Sequence, residues 1–106
     1  MKRAPDHLSK DAGDIWRGLM DEFDLDDTAA QKILSVALEA YDRAQAARIA
    51  INRDGMVVRD KFDQIKPHPL LANERDSRAA FLAGLKALNL DLLPLENSPG
   101  RPAGGR

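Results

Sequence analysis

The chain has 106 residues, no cysteine, and a formal net charge of −1 at pH 7 from 16 basic and 17 acidic side chains. A chain of this length forms one small domain, whose single hydrophobic core is marginal unless copies of the chain associate. The absence of cysteine excludes disulfides, thiolate metal sites and cysteine nucleophiles, and the near-zero charge argues against coating nucleic acid by charge alone.

Charge is spread unevenly along the chain. Residues 1–28 carry four basic and eight acidic side chains, residues 29–90 carry ten and seven, and residues 91–106 carry two of each. An anionic partner is therefore expected to contact the middle of the chain. The apolar stretches are too short to span a bilayer, and the charged start Met1-Lys2-Arg3 is not followed by a signal-peptide core. We expect a soluble intracellular protein with no membrane partner.

The first predicted helix follows a short N-terminal arm. Residues 1–8 contain a proline and no periodicity, which indicates an arm that is mobile or becomes ordered on contact. Ser9 is a favourable N-cap, and apolar spacing predicts a helix from Lys10 to about Phe23, with Trp16 as a core anchor. The acidic group that follows lacks the glycine and ligand spacing of a calcium loop, so we interpret it as a solvated turn with an N-cap. This group comprises Asp21, Glu22, Asp24, Asp26 and Asp27.

The strongest helix signal runs from Thr28 to Asp54, 27 residues with eight alanines and no glycine or proline. Alternating four- and three-residue steps along it form one seam with coiled-coil spacing, which predicts the close approach of another helix. A second apolar line widens the arc, so this helix is expected to contact neighbours on two sides. The seam, which we assign as an oligomer interface, consists of Ile33, Ala37, Ala40, Ala44, Ala47 and Ile51. The second line consists of Leu34, Leu38, Tyr41 and Ile49.

The stretch after Gly55, a candidate left-handed C-cap, is β-prone. Residues 56–58 and 65–66 are predicted to pair as a short hairpin, with an extended loop as the alternative. Lys66-Pro67-His68-Pro69 then forms a rigid elbow, because each proline fixes its own backbone angle and restricts the preceding residue. Pro69 is predicted in the first turn of a third helix that ends near Asn89.

These elements predict an all-α fold with three main helices, a long central helix, and a short hairpin or extended loop between the second and third helices. Residues 9–91 form one helical domain. Residues 92–106 are rich in proline and glycine and are predicted to be a disordered tail. Within it, Pro99-Gly100-Arg101-Pro102 resembles part of an AT-hook but lacks its basic flank, so a flexible linker is favoured.

No motif in the chain predicts catalysis or cofactor binding. There is no phosphate-binding glycine loop ahead of a lysine and no paired-histidine metal spacing. Only His7 and His68 have side chains of the type that could act as acid or base near neutral pH. We interpret His68, which lies between two prolines, as a structural hydrogen-bonding or solvent-exposed ring rather than a general acid or base. We therefore predict no enzyme, no metal site and no cofactor.

A set of short motifs occurs in order from residue 5 to residue 91. The motifs are Pro5–Lys10, Trp16, Ala40–Arg43 with Ala47-Arg48, Lys61–Pro69, Glu74–Phe81 and Leu88–Asp91. Together they resemble a family of bacteriophage terminase small subunits. The most specific part is the Lys-Pro-His-Pro elbow followed by Arg75-Asp76-Ser77-Arg78. Ile15-Trp16 stands where relatives often have an aromatic pair, and Ile65 stands where a small residue is common.

The resemblance implies a non-enzymatic DNA-packaging factor in the host cell cytoplasm. Such a factor forms a homo-oligomeric ring, recognises double-stranded viral DNA near its packaging-start site, and hands it to a terminase large subunit that bears the ATPase and nuclease. Residues 9–91 would then be an oligomerisation and DNA-recognition domain, and basic side chains in the middle of the chain are candidate phosphate contacts. The candidates are Arg43, Arg48, Arg53, Arg59, Lys61, Lys66, Arg75 and Arg78.

Each candidate cation also has a structural explanation. The pairs Glu39-Arg43 and Glu74-Arg78 have the four-residue spacing of ion pairs on one helix face. Arg75 and Arg78 continue an apolar stripe, which favours burial against a carboxylate such as Asp42 as much as DNA contact. The competing function is a small helical adaptor or regulatory dimer that does not bind DNA.

Overall fold

A computed structural model describes residues 3–90, and within them the chain forms three helices and one hairpin. Helix α1 spans Lys10–Phe23, α2 spans Thr28–Asp54 and α3 spans Leu71–Ala87. Between α2 and α3, strands β1 (Val57–Arg59) and β2 (Ile65–Pro67) pair as a two-stranded antiparallel sheet. The predicted helical fold with a short hairpin is therefore confirmed. The predicted tail, residues 92–106, lies outside the described residues.

Side-chain caps begin the first two helices. Ser9 Oγ accepts the N–H of Ala12 at 3.0 Å, and Asp27 Oδ1 accepts the N–H of Ala30 at 3.0 Å. Each oxygen satisfies one of the N–H groups that have no partner in the first turn of a helix. The starts of α1 and α2 are thus set by local chemistry.

Helix α3 runs antiparallel to α2 and covers its alanine seam. Gly84 lies on Ala37 near one end of the pair, and Glu74 accepts a hydrogen bond from Arg48 near the other. The seam residues Ala37, Ala40, Ala44, Ala47 and Ile51 are 1–8% exposed. Small side chains let two helices approach closely, so the close approach that the alanines predict is made within the chain, by α3.

The other side of α2 packs on α1 in the hydrophobic core. Trp16 and Met20 of α1 are buried against Leu34 and Leu38, which have no exposed surface. The predictions of Trp16 as a core anchor and of neighbours on two sides of α2 are confirmed. Ile49 of the second apolar line is 66% exposed, because α1 lies beside the N-terminal half of α2 and does not reach this residue.

Polar contacts lock α1 to α2. Asp42 accepts the backbone N–H of Ser9 at 2.9 Å and the Ser9 hydroxyl at 2.5 Å. The Tyr41 hydroxyl donates to Asp11, which raises the pKa of Tyr41. The Tyr41 ring packs on Phe81 of α3 with centroids 5.2 Å apart. Asp42 is thus used by the α1 cap and is not the carboxylate that Arg75 or Arg78 contacts, since these exposed arginines pair with Asp76 and Glu74.

The described part of the N-terminal arm, residues 3–8, is ordered against the helices. The Leu8 N–H donates to the Pro5 carbonyl at 3.2 Å, and Leu8 packs against the core cluster. His7 Nε2 lies 2.7 Å from Glu39 Oε2. Glu39 therefore pairs with the arm, and the four-residue pair with Arg43 is not formed.

Two details near the hairpin differ from prediction. Gly55 ends α2 with φ 90° and ψ 160°, outside the left-handed helical region, because the chain passes directly from the helix into an extended strand. Pro69 lies before α3, not in its first turn, since the Leu71 N–H donates to the His68 carbonyl at 3.1 Å and closes a turn over residues 68–71. Helix α3 ends at Ala87, close to the predicted end.

Candidate nucleic-acid interface

The hairpin projects from the helices and carries mostly exposed side chains. Its register pairs Val57 with Pro67, Val58 with Lys66, and Arg59 with Ile65. Because side chains alternate across a strand, the two outer pairs share one face and the central pair occupies the other. On the first of these faces Val57 is 60% and Ile65 is 65% exposed. This apolar face has no covering element among residues 3–90.

The tip of the hairpin is held by the carboxylate of Asp60. Its Oδ1 accepts the N–H of Phe62 at 2.8 Å and that of Gln64 at 3.0 Å, and the Asp60 carbonyl accepts the Asp63 N–H at 2.9 Å. The Gln64 and Phe62 amides lower the pKa of Asp60. The tip is therefore a hydrogen-bonded turn with a defined shape, in which Asp63 takes a left-handed φ of 61°.

The base of the hairpin is fixed by His68, the buried residue at the centre of the elbow. Its N–H donates to the Met56 carbonyl at 2.7 Å, which continues the ladder below the strands. Its ring Nδ1 accepts the Leu70 N–H at 3.0 Å, so the neutral ring carries its proton on Nε2 and donates it to Asp54 Oδ2 at 3.0 Å. His68 thus joins the end of α2, the hairpin and the start of α3, and the prediction of a structural hydrogen-bonding ring is confirmed.

Asp54 also pairs with a cation, the guanidinium of Arg53. The Arg53 guanidinium contacts both carboxylate oxygens, at 2.7 and 2.9 Å. Arg53 first, and then His68, hold the pKa of Asp54 well below its usual range. The end of α2 therefore keeps an ionised carboxylate that positions the elbow.

The eight candidate phosphate contacts divide into two groups by their partners. Five arginines form ion pairs with carboxylates of the chain, and all eight side chains lie at exposed positions. The pairs are Arg48–Glu74, Arg53–Asp54, Arg59–Asp63, Arg75–Asp76 and Arg78–Glu74. Within residues 3–90, Arg43, Lys61 and Lys66 have no carboxylate within ion-pair distance, and two of these three are on the hairpin.

Glu74 is the one carboxylate of these five pairs that binds two arginines, one on its own helix and one on α2. Its side chain is 14% exposed and lies 3.2 Å from Arg78 of its own helix and 3.3 Å from Arg48 of α2. Arg78 first, and then Arg48, lower the pKa of Glu74. The predicted four-residue pair of Glu74 and Arg78 is confirmed within α3, and the Arg48–Glu74 pair joins α2 to α3.

The residues assigned to the oligomer interface lie mostly inside the chain. The alanine seam and Ile51 are buried under α3, and Ala44 lines a cavity of about 350 Å³ with Arg78, Phe81 and Leu82. Ile33 is half-buried, and its carbonyl lies close to Gly84. The seam therefore offers little surface to a second copy, and self-association stays a prediction.

The sequence assignment of the site left out Phe62. This ring is 72% exposed at the tip of the hairpin, and the Lys61 ammonium lies 5.4 Å from its centroid. An aromatic residue inside a predicted polar turn, between Lys61 and Asp63, was the available signal, since turns are usually made of small and polar residues.

Residues 3–90 contain no group of three or more His, Asp or Glu side chains arranged to hold a metal ion. No helix among them is long and apolar enough to cross a bilayer. Comparison with known proteins finds no family model, no curated protein and no solved structure that matches this chain.

Proposed function

We propose that this protein is a terminase small subunit, a non-enzymatic factor that recognises viral DNA and initiates genome packaging. It would assemble into a homo-oligomeric ring in the host cell cytoplasm and work with a large subunit that supplies the ATPase and nuclease. The proposal combines the motif resemblance with the geometry of the hairpin and elbow.

The observation that carries the proposal is the rigid basic hairpin. The elbow motif, the most specific part of the resemblance, forms the base of this hairpin through His68, and Lys61 and Lys66 extend from it without a carboxylate partner among the described residues. Unpaired, exposed lysines are free to contact phosphates, which fix the position of a protein on DNA. Because the hairpin is held at its base and tip, these contacts need little ordering on binding.

The small net charge is compatible with this role. DNA binding depends on cations gathered in one place rather than on the total charge, and a few phosphate contacts suffice for strong salt dependence. The acidic side chains of the hairpin are already engaged, since Asp60 accepts backbone N–H groups and Asp63 binds Arg59. Residues 57–67 carry three cations, Arg59, Lys61 and Lys66, against the two carboxylates, so the hairpin has a net charge of +1.

A helical adaptor that does not bind DNA is the second candidate. The observation that favours it is the pairing of Arg48 and Arg78 with Glu74, because these arginines are explained by the stability of the helix pair. Exposed apolar residues on the hairpin would then meet a protein partner. The two candidate functions differ in whether Lys61 and Lys66 contact DNA.

The test measures DNA affinity over a range of salt concentrations for wild type and for a variant with Arg59, Lys61 and Lys66 changed to Glu. Each lost phosphate contact lowers the slope of log affinity against log salt by about one unit. We expect a weaker and flatter response with unchanged helicity. The matched control changes Lys10, Arg17 and Lys32 to Glu, which alters the net charge equally at α1 and the start of α2.

Equal loss of affinity in both variants contradicts the hairpin as the DNA contact, and no binding by wild type at low salt contradicts DNA recognition itself. Native mass spectrometry separates the two candidates independently. A closed assembly of many copies supports the terminase proposal, whereas a dimer that does not bind DNA supports the adaptor.

A further inference from the structure

We propose that Phe62 is an apolar wedge that inserts between base pairs of the DNA that the hairpin binds. The inference rests on the proposed DNA-binding function and adds the way in which the duplex is engaged. It implies that the protein bends or locally unstacks DNA, and does more than contact its phosphates.

Phe62 is presented at the furthest point of the hairpin. It is the most exposed of the large hydrophobic side chains in residues 3–90, at 72%. Strand β1 contributes three extended residues, about 10 Å at about 3.3 Å per residue, and Phe62 lies in the turn beyond it. The minor groove is about 7.5 Å deep, which is less than the length of this strand, so a ring at the tip can reach the base steps.

The tip holds Phe62 in place before any contact is made. Asp60 binds the Phe62 N–H and closes the turn, and Arg59 adds a hydrogen bond to the Asp63 carbonyl at 3.1 Å. A wedge must resist being pushed back as it separates stacked bases, a step that costs a few kcal/mol. The hydrogen-bonded turn and the His68 base supply that resistance.

The charges around the ring favour DNA over a protein partner. Lys61 lies over the Phe62 ring, and Lys66 follows on β2 without an ion pair among the described residues. Lysine is depleted in protein–protein interfaces, whereas apolar side chains flanked by cations are typical of proteins that kink the duplex. The two carboxylates of the turn, Asp60 and Asp63, form hydrogen bonds within the hairpin, and the hairpin's cations Arg59, Lys61 and Lys66 outnumber them.

The experiment uses the full chain and a short mixed-sequence duplex with a dye at each end, at low salt, where sequence-independent binding is strongest. Energy transfer between the dyes reports bending, and 2-aminopurine placed in the duplex reports unstacking. The variants are Phe62→Ala, which removes the wedge, and Phe62→Trp, which keeps an aromatic ring. The control is Val36→Ala, which shortens an exposed apolar side chain in the first half of α2, away from the hairpin.

We expect wild type, Phe62→Trp and Val36→Ala to bend and unstack the duplex. Phe62→Ala should lose both signals and bind about tenfold more weakly, with an unchanged salt slope because no phosphate contact is removed. Wild type that binds without bending, or Phe62→Ala that bends fully, overturns the wedge and leaves the DNA-binding function standing.

Two other outcomes also overturn the wedge. If Phe62→Ala retains full bending but lowers the native mass or the capture of the large subunit, Phe62 is a protein contact. If wild type binds no DNA at low salt, the wedge and the proposed function fail together, and this is seen before any variant is made.

Discussion

Gly84 of α3 lies directly against Ala37 of α2, so that a Cβ added to Gly84 would be 2.6 Å from the Ala37 Cβ. Real side chains essentially never come so close, and the carbonyl of Ile33 borders the same point. The two helices are therefore as near to each other here as a missing side chain allows. Glycine at this position is a requirement of packing rather than of backbone conformation.

Gly84→Ala should lower the free energy of unfolding despite its better helix propensity. Alanine gains about 1 kcal/mol in a helix, but moving α3 off Ala37 loses core contacts worth about 1–3 kcal/mol. Gly18→Ala is the matched control, since nothing lies within 4 Å of its added Cβ, and it should stabilise. Urea titrations measure the free energy of unfolding of both variants. If Gly84→Ala stabilises the protein as much as Gly18→Ala does, α3 does not pack tightly on Ala37.

Ala40→Leu should destabilise the subunit itself. Ala40 is 1% exposed between α2 and α3, and extra methyl groups in a packed site cost about 1–3 kcal/mol. Ala46→Leu on the same helix adds the same atoms at an exposed position and should change stability by less than about 0.5 kcal/mol. Thermal melts compare the two. Equal melting temperatures would mean that the seam is not closely packed.

His68→Ala should cost about 1–3 kcal/mol, because it leaves the Leu70 N–H without its acceptor and Asp54 without one of its donors. His7 also faces a carboxylate, Glu39, but its side chain is 57% exposed. His7→Ala should therefore cost less than about 1 kcal/mol. Denaturant unfolding of both variants measures the difference, and similar losses would show that the elbow carries no special stability.

Asp54 should make stability depend on pH in the acid range. Arg53, and then His68, lower the folded-state pKa of Asp54, so the ionised carboxylate stabilises the fold at pH values above its unfolded pKa of about 3.9. This contribution is lost as pH falls from there toward the folded pKa. Asp54→Asn should reduce the acid-side loss of stability relative to wild type.

The control for this pH effect is Asp76→Asn, an exposed carboxylate beside Arg75. Melting temperatures measured between neutral pH and pH 3 compare the three proteins. If Asp54→Asn follows the same acid profile as wild type, the ion pair with Arg53 is screened by solvent and does not stabilise the fold.

Changing Pro67 and Pro69 to Ala should re-aim the hairpin relative to α3. Both residues fix backbone angles on either side of His68, and alanine frees them and permits α3 to begin earlier. We expect the subunit to fold, with a loss of DNA packaging greater than its loss of stability. Melting, native mass and packaging with the large subunit are measured together, with Pro5→Ala in the arm as control.

The outcome that contradicts this prediction is packaging that falls only in proportion to the folded fraction. The elbow would then be a stability element alone. Altered native mass with intact DNA affinity would instead connect the elbow to assembly.

Local signals in the sequence determined the secondary structure. Ser9 as N-cap, the uninterrupted run from Thr28 to Asp54, and the β-prone residues on either side of a polar turn each act within a few residues. Helix capping and strand pairing across a short turn depend on such neighbours. The bounds of α1 and α2 and the presence of the hairpin were therefore predictable, as was the burial of Trp16.

Only the tertiary structure decided which surfaces meet. An alanine seam predicts that another helix packs closely, but not whether that helix belongs to the same chain or to a second copy. Here it is α3 of the same chain, which can pack closely because Gly84 has no side chain to collide with Ala37. Likewise an arginine can pair with any carboxylate that the fold brings within reach. Asp42 is taken by Ser9, and Glu74 holds Arg48 and Arg78. These choices depend on contacts between residues far apart in the chain, which periodicity and spacing do not encode.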